Sequence, residues 1–291
     1  MGIVIGIDVG GSTTKIVGLK GDEIISPMFI TATDAVSSLF GAFGKYIYTN
    51  KIALSDIDHV MITGVGSAYV DGDIYGLPTS KADEFESDGL GAHFGSQLEK
   101  LIVVSMGTGT TLVQVEGNNI RHIGGISMGG GTLMGLASLL LKTTNIDTIQ
   151  SLAEQGNIKN VNLQIEDICK NNIEGLPLYA TASLFGKASN AHLSDEDIAI
   201  GIYYLVIQTI GSAAVLSALN SGIKDFVMIG NLAQIPQCHT IFEMIEGLYG
   251  VRNEVNPCAR TKVLRIDLGA PYVLGAEGDH ALVLQSHLRF R

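Results

Sequence analysis

The sequence has 291 residues, 46% of them hydrophobic, which is typical of a globular chain with a substantial core and excludes a disordered one. Eighteen Lys and Arg residues against 29 Asp and Glu residues give a formal net charge of -11, which argues against nucleic-acid binding because phosphate contacts need clustered cations. Three cysteines without a C-x-x-C spacing favour neither a zinc site nor a disulfide framework, and the longest apolar run, at 133–141, is too short for a membrane span, so we expect a cytoplasmic protein.

The order of short apolar segments and turn residues is the first indication of the fold. In the first half the pattern predicts strands, a hairpin turn and one helix, over residues 1–8, 16–19, 23–30, 34–50 and 59–63. The strand–turn–strand–turn–strand pattern recurs roughly 100 residues later, at residues 101–105, 111–115 and from Ile120 onward. This repetition predicts an α/β protein with two similar halves that face each other, unless both copies are ordinary hairpins.

The rest of the chain is predicted to be more helical. Its pattern predicts helices at 131–142, 147–155 and 194–220, a strand at 226–229, a late strand at 262–267 and a final helix at 272–284. Asp147 and Ser194 are the predicted N-caps of the second and third of these helices, and Gly156 is a predicted C-cap.

The first chemical motif lies at the first turn, where residues 6–15 read GIDVGGSTTK. A strand delivers Asp8 to a glycine turn whose backbone N–H groups can approach a phosphate closely. The residues at 12–14 add three hydroxyls, Lys15 adds a mobile cation, and Asp8 is suited to order Mg²⁺ through water. The motif predicts a phosphate site rather than an ordinary hairpin, and it has neither the Walker A nor the G-x-G-x-x-G spacing.

Two further glycine-rich segments lie in the second half. Residues 105–111, SMGTGTT, form the turn of the repeated hairpin and offer N–H and hydroxyl donors to phosphate from the facing side. Residues 124–132, GGISMGGGT, open an apolar helix, where unpaired N–H groups and the positive end of the helix dipole favour an anion. The alternative for this last segment is tight packing of the helix start on a neighbouring element.

A fourth segment, residues 83–89, reads DEFESDG and is strongly acidic. Such a cluster is typical of a solvated face or of a helix N-terminus, where the dipole favours negative charge. One of these carboxylates is also a candidate acceptor for a hydroxyl proton during phosphoryl transfer.

Together and in this order, the four segments resemble the type II pantothenate kinases, of the acetate and sugar kinase/Hsc70/actin superfamily. The resemblance covers almost the whole chain and includes SLFG at 183–186, VMIGN at 227–231 and the Gly275-Ala276 pair. It implies two duplicated RNase-H-like, actin-like ATPase halves with a nucleotide cleft between them, at 1–98 and 99–271, with a final helix at 272–286 on the first half. It also implies a homodimer that uses ATP and Mg²⁺ to phosphorylate the primary hydroxyl of pantothenate, the first step towards coenzyme A.

The resemblance assigns roles to individual residues. Glu84 falls at the catalytic base, which orients and deprotonates the attacking hydroxyl, and Asp8 orients Mg²⁺ through water. Nucleotide and phosphate binding is implied for Asp8, Gly10, Gly11, Ser12, Thr13, Lys15, Gly107, Thr108, Gly109, Thr110, Gly129, Gly130, Gly131, Gly230 and Asn231. Substrate binding is implied for Ser105, Arg121, His122, Gly124 and Gly125. His122 stands where the family has an arginine for the acceptor, and Arg121 precedes it on the opposite face of the strand.

Two alternatives stay open. Residues 6–15 also resemble the ATPase activators of 2-hydroxyacyl-CoA dehydratases, which hold an iron–sulfur cluster through cysteines. Cys169, Cys238 and Cys258 show no matching surroundings, so iron content would separate the two readings. The other alternative is a regulator that binds a nucleotide or an acyl-CoA with little kinase activity, as the change to His122 allows.

Overall fold

The structure, a computed structural model, describes residues 2–11, 13–21, 23–31, 34–169, 171, 176–189 and 192–249. These residues pack into two compact units, the first with residues 2–103 and 113–122 and the second with residues 104–112 and 123–249. The division therefore differs from the predicted single boundary after residue 98, because segment 113–122 packs with the first unit. The predicted strand at 262–267, the predicted final helix, Ser12 and Cys258 lie outside the described residues.

The first unit is built on a five-stranded sheet in the order β3-β2-β1-β4-β5, in which β1 pairs antiparallel with β2 and parallel with β4. Its core holds Ile5, Ile7, Phe43 and Tyr46, so helix α1 packs on the sheet. Its elements are β1 (Ile3–Val9), β2 (Thr13–Lys20), β3 (Glu23–Thr31), α1 (Ala35–Asn50), β4 (Ile57–Thr63), β5 (Thr79–Lys81) and α2 (Glu84–Ser96), with 3-10 helices at Leu54–Asp56 and Val65–Tyr69.

One difference from prediction in this unit is the start of β2. The strand begins at Thr13 rather than at residue 16, so Thr13 and Lys15 are strand residues and not loop residues. Two consecutive threonines fit an extended strand because their β-branched side chains suit a pleated surface.

The four-stranded second sheet has the order β11-β6-β7-β8. In both sheets the third strand of the repeat pairs with the second, the second pairs with the first, and the first pairs with the fourth. This shared order confirms the duplication predicted from the sequence. The elements that follow α2 along the chain are β6 (Lys100–Met106), β7 (Thr110–Glu116), β8 (Asn119–Ile126), α3 (Gly130–Leu140), α4 (Ile146–Gln155), α5 (Ile158–Val161), β9 (Leu163–Gln164), α6 (Ile165–Ile168), β10 (Thr181–Ser183), α7 (Asp195–Ala218), β11 (Phe226–Ile229) and α8 (Pro236–Tyr249), with a 3-10 helix at Asn231–Gln234.

The helix caps of the second unit test the sequence rules directly. Ser194 caps α7 as predicted, since its side chain accepts the N–H of Asp197, and Gly156 is the C-cap of α4. The predicted N-cap Asp147 is wrong, because the side chain of Asn145 accepts the N–H of Thr148 and starts α4 two residues earlier. Helix α8 was not predicted, although a proline at the first helical position is a recognisable start signal.

Helix α7 is the one element among the described residues that is long and apolar enough to cross a membrane, judged by length and composition alone. The apolar run at 133–141 is therefore not the longest apolar segment. In the structure 61% of the most apolar window of α7 is buried, and α7 packs against α3, α4 and α8. A core helix of a folded domain has the same properties.

Candidate active site

An ion pair stands at the end of β1 and the start of β2. The strand register places Asp8 directly opposite Lys15, so the two side chains project from the same face of the sheet. Lys15 Nζ lies 3.0 Å from Asp8 Oδ2, and the two side chains are only 19% and 12% exposed. The first motif thus yields a nearly buried pair of opposite charges, in which the register, rather than a mobile loop, positions the lysine.

The two glycines of the turn that joins these strands have different surroundings, since Gly10 is closely packed and Gly11 is open. Gly10 donates its N–H to the carbonyl oxygen of Thr13 at 3.1 Å, and a Cβ at Gly10 would lie 2.7 Å from that same oxygen, so a larger residue does not fit. Gly11 is exposed and has no atom within 4 Å of a Cβ built on it. The space beside Gly11 is the kind of open backbone surface that a phosphate needs.

Glu84 is the first residue of α2, so the acidic segment is a helix N-terminus, one of the two roles expected for it. The N-cap Asp83 accepts the N–H groups of Phe85 and Glu86, both at 2.9 Å. This cap accounts for one of the acids in the cluster and fixes the direction in which α2 begins.

Electrostatics connect Glu84 to the ion pair. Solvent reaches the Glu84 side chain, yet the surrounding protein atoms remove enough hydration to raise the pKa of its carboxyl above the usual value. The negative charge of Asp8 raises this pKa further, the positive charge of Lys15 lowers it, and Asp83 raises it least. Glu84 therefore lies within electrostatic range of both members of the Asp8–Lys15 pair.

Helix α2 packs on β8 through two contacts that sequence reasoning missed. The rings of Phe85 and His122 are stacked, with centroids 4.2 Å apart and planes 9° from parallel. One helical turn later, a Cβ at Gly89 would lie 3.1 Å from Cδ1 of Ile120, so α2 approaches the strand closely there. Residues four apart on a helix and two apart on a strand each share a face, so the two contacts fix the start of α2 and, with it, Glu84.

Arg121 and His122 lie on opposite faces of β8, as the alternation along a strand requires. The Arg121 guanidinium donates to Gln114 Oε1 at 3.1 Å, and Gln114 Nε2 donates in turn to Glu116 Oε1 at 2.9 Å. Arg121 is thus tied to β7, whereas His122 stacks beside the residue that follows Glu84. Of the two predicted substrate residues, only His122 lies next to the candidate base.

In the second unit the glycine loop and the start of α3 form one hydrogen-bonded structure. The N–H of Gly130 donates to the carbonyl oxygen of Gly107 at 2.8 Å, and the N–H of Gly131 donates to that of Thr108 at 3.0 Å. The expectation that these two residues offer unpaired N–H groups to an anion is therefore wrong. A Cβ at Gly129 would lie 2.6 Å from the carbonyl oxygen of Thr108, so the glycines permit tight packing, the alternative considered above.

The loop that this packing supports is itself open. Gly107, Thr108 and Gly109 are exposed, and the Thr110 hydroxyl donates to the carbonyl oxygen of Met128 at 2.8 Å. The loop is therefore accessible to a ligand, and nucleotide binding here, and above Gly129–131, stays a prediction.

Five other predicted residues lie near this loop or in the same sheet. Gly230 ends β11 with a φ of 95°, and a Cβ there would lie 2.7 Å from the carbonyl carbon of Met106, directly before the loop. Asn231 is exposed and starts the 3-10 helix that follows. Ser105 is half-buried on β6, and a Cβ at Gly125 would lie 3.2 Å from the carbonyl oxygen of Thr110. Gly124 on β8 has a φ of 149° and open space around it.

The donor set fits a magnesium ion that arrives with a nucleotide. Within the part of the chain that the structure describes, no group of three or more His, Cys, Asp or Glu side chains is arranged to hold a metal ion. A nucleotide-bound Mg²⁺ needs fewer protein ligands, since one or two carboxylates suffice when phosphate oxygens and waters complete its octahedral coordination. Asp8, beside an open glycine turn, supplies such a carboxylate.

Comparison with known proteins gives several matches. A family model described as Fumble matches residues 78–245. The type II pantothenate kinase of Staphylococcus haemolyticus is 26% identical over 239 residues, which are 78% of this chain and 84% of that protein. Pantothenate kinase 1 of Oryza sativa subsp. japonica is 34% identical over 155 residues, 51% of this chain and 23% of that protein.

A relative with another activity in its name also matches. The 4'-phosphopantetheine phosphatase of Mus musculus is 37% identical over 134 residues, 44% of this chain and 16% of that protein. The chain thus spans less than a quarter of the rice and mouse relatives it matches.

Solved structures share the fold. The (R)-2-hydroxyglutaryl-CoA dehydratase component A of Acidaminococcus fermentans superimposes with a TM-score of 0.62 at 21% identity, covering 94% of this chain and 97% of that one. The 2-hydroxyisocaproyl-CoA dehydratase activator of Clostridium difficile, with bound ADPNP, gives 0.61 at 18%, covering 98% and 97%. The ROK family glucokinase of Streptomyces griseus, with glucose and AMPPNP, gives 0.52 at 12%, covering 88% and 92%. At these identities the likeness concerns the fold, and it confirms the predicted actin-like ATPase class.

Proposed function

This chain belongs to the Fumble family, and on that premise we propose that it is an ATP-dependent kinase that phosphorylates the primary hydroxyl of pantothenate. The observation that carries the proposal is the placement of Glu84 beside the Asp8–Lys15 pair, where Asp8 raises the pKa of its carboxyl. A proton acceptor next to a phosphate-binding turn is the minimal arrangement for transfer of a phosphoryl group to an alcohol.

The Glu84 carboxylate orients the attacking hydroxyl and accepts its proton while the new O–P bond forms. The γ-phosphoryl group leaves ADP in the same step, so the products are 4'-phosphopantothenate, ADP and one proton. Lys15 offers positive charge to the phosphates, and the glycine turn beside Asp8 offers backbone N–H groups. Mg²⁺, held by Asp8 through water, supplies neutralisation of phosphate charge when it is bound.

The second unit supplies a binding surface rather than charge. Gly107, Thr108 and Gly109 form an exposed loop, and the start of α3 holds that loop through two backbone hydrogen bonds. Its neutral N–H and hydroxyl donors suit phosphate oxygens, which supports the assignment of this loop, with Gly230 and Asn231, to the nucleotide. The ATP analogues bound to two proteins of the same fold support ATP as the nucleotide.

The names of the relatives support pantothenate as the substrate. Two of the relatives carry the name pantothenate kinase, and the bacterial one extends over 78% of this chain. We extend the proposal to a cytoplasmic homodimer that binds neither nucleic acid nor membrane, as the acidic composition and the family resemblance favour.

Two other functions have an observation in their favour. The dehydratase activators superimpose with TM-scores of 0.62 and 0.61, which favours an ATPase that acts on a partner protein. The mouse relative has a name other than kinase, which keeps open the alternative of a nucleotide- or acyl-CoA-binding regulator with little kinase activity. Cys238 is buried on α8 and Cys169 is half-buried after α6, so neither supports an exposed iron–sulfur cluster, and this weakens the activator reading.

The deciding experiment measures ADP release from Mg-ATP by the purified protein, with and without pantothenate, and identifies the product by mass. Pantothenate-dependent ADP with phosphopantothenate establishes the proposed function. ADP release that ignores pantothenate contradicts it and points to an ATPase or to another alcohol. Nucleotide binding without any ADP release contradicts it in favour of the low-activity reading.

A further inference from the structure

Gly64 lies where the fourth strand of the first sheet meets the site. Strand β4 runs parallel to β1, and its last residue, Thr63, is the register partner of Asp8. Gly64 follows with a φ of 83° and a ψ of 164°, a backbone conformation that is essentially restricted to glycine. No motif in the sequence marked this glycine as part of the site.

The side of Gly64 that carries no side chain faces the Asp8 carboxylate. A Cβ built there would overlap Asp8 Oδ1 and would lie 2.8 Å from the carbonyl oxygen of Val9. The other carboxylate oxygen, Oδ2, lies 3.0 Å from Lys15 Nζ. Gly64 and Lys15 therefore bound the carboxylate at its two oxygens.

The second sheet also has a glycine with a positive φ after its fourth strand, but this glycine faces backbone rather than a carboxylate. Gly230 follows the fourth strand there with a φ of 95° and a ψ of 171°, and a Cβ on it would meet the backbone of Met106. Met106 ends the first strand of that sheet, as Asp8 and Val9 end β1. In both copies the glycine thus lets the end of the fourth strand approach the end of the first, directly before a glycine turn.

We propose that Gly64 is a positioning residue for Asp8. It leaves the space that the carboxylate occupies, so that Asp8, held by Lys15, keeps one orientation beside the glycine turn. The proposal rests on the proposed function in so far as Asp8 serves a magnesium–nucleotide complex. Any side chain at residue 64 displaces the carboxylate and weakens that complex, whatever alcohol the enzyme phosphorylates.

The test compares Gly64→Ala with Gly72→Ala. Gly72 also has a positive φ, of 79°, but no atom within 4 Å of a built Cβ, so it controls for an alanine at a positive φ without the collision. Binding of Mn²⁺ to the protein–ADP complex is measured by electron paramagnetic resonance, together with the Mg²⁺ concentration for half-maximal activity. Gly64→Ala is expected to weaken Mn²⁺ binding at least roughly tenfold, in the range seen when a group supporting a metal ligand is lost, and Gly72→Ala to leave it unchanged.

In an Asp8→Asn background, Gly64→Ala is expected to cause no further weakening of Mn²⁺ binding. A residue that acts through the Asp8 carboxylate has no effect once that carboxylate is gone. Mn²⁺ binding by Gly64→Ala within twofold of the wild type, or an equal loss in Gly72→Ala, overturns the proposal. If Gly64→Ala does not fold, the Asp8→Ala/Gly64→Ala chain is measured: recovery of folded protein supports the proposal, and continued failure overturns it. The binding readout needs no pantothenate, so a wild type that binds Mn²⁺–ADP but does not phosphorylate pantothenate contradicts the proposed function alone.

Discussion

The N–H of Gly131 donates to the carbonyl oxygen of Thr108 at 3.0 Å, so the start of α3 and the second glycine loop move as one body. The three glycines at 129–131 are therefore packing residues first. We expect any effect of these glycines on nucleotide binding to act through the shape of the loop that they support.

We expect Gly129→Ala to displace this loop. Its φ of 177° suits any residue, so the whole effect comes from a Cβ 2.6 Å from the carbonyl oxygen of Thr108. The expected cost is about 1–3 kcal/mol of the free energy of unfolding, with weaker ADP binding by calorimetry. Gly135→Ala is the control on the same helix, since a Cβ there meets open space, and it is expected to stabilise the chain by about 0.5–1 kcal/mol. Equal effects of the two changes would contradict the packing role.

Glu84→Gln is expected to remove turnover while leaving nucleotide affinity unchanged. A general base contributes roughly 10²–10⁴-fold to the rate, and the amide keeps the size of the side chain. The melting temperature at neutral pH is expected to be no lower, because burial and Asp8 already disfavour the Glu84 charge in the folded state. Activity of the variant within tenfold of the wild type would exclude Glu84 as the base.

The raised pKa of Glu84 predicts where activity is lost in acid. The base acts as a carboxylate, so the rate falls as the pH drops through its pKa, and the fall begins at higher pH than for an ordinary glutamate. Lys15 lowers this pKa, so Lys15→Met is expected to raise it further, and Asp8→Asn to lower it. Carbon-13 NMR of the Glu84 carboxyl follows both shifts without relying on turnover. A Glu84 pKa that is the same in the wild type and in both variants would show that the three side chains do not interact.

Arg121 and His122 form a matched pair for mutation. His122→Gln removes the ring that stacks on Phe85, so the start of α2 loosens and kcat is expected to fall roughly 2–10-fold, the range expected for one aromatic stack. Arg121→Gln removes a contact to Gln114 on the other face of β8 and is expected to leave kcat and KM within twofold of the wild type. A large rise in KM for pantothenate with Arg121→Gln would reverse this assignment.

Much of the fold follows from local sequence signals, and the site only in part. The repeated hairpins, the Ser194 cap and the acidic helix start at Glu84 each depend on residues close together in the chain. The roles of Gly64 and Gly130 do not, because each is set by a carbonyl or carboxylate from a different segment. The Phe85–His122 stack needs α2 to pack on β8, and nothing in either segment alone indicates that contact.

The glycines divide into two sets with opposite value for protein engineering. Gly41 and Gly44 inside α1, like Gly135 in α3, have no atom within 4 Å of a built Cβ. Each is a helix-interior glycine whose replacement by alanine is expected to gain about 0.5–1 kcal/mol by reducing the freedom of the unfolded chain. A triple variant at these positions would give a more heat-tolerant protein on which the damaging changes at Gly64 and Gly129 can be studied while the chain remains folded.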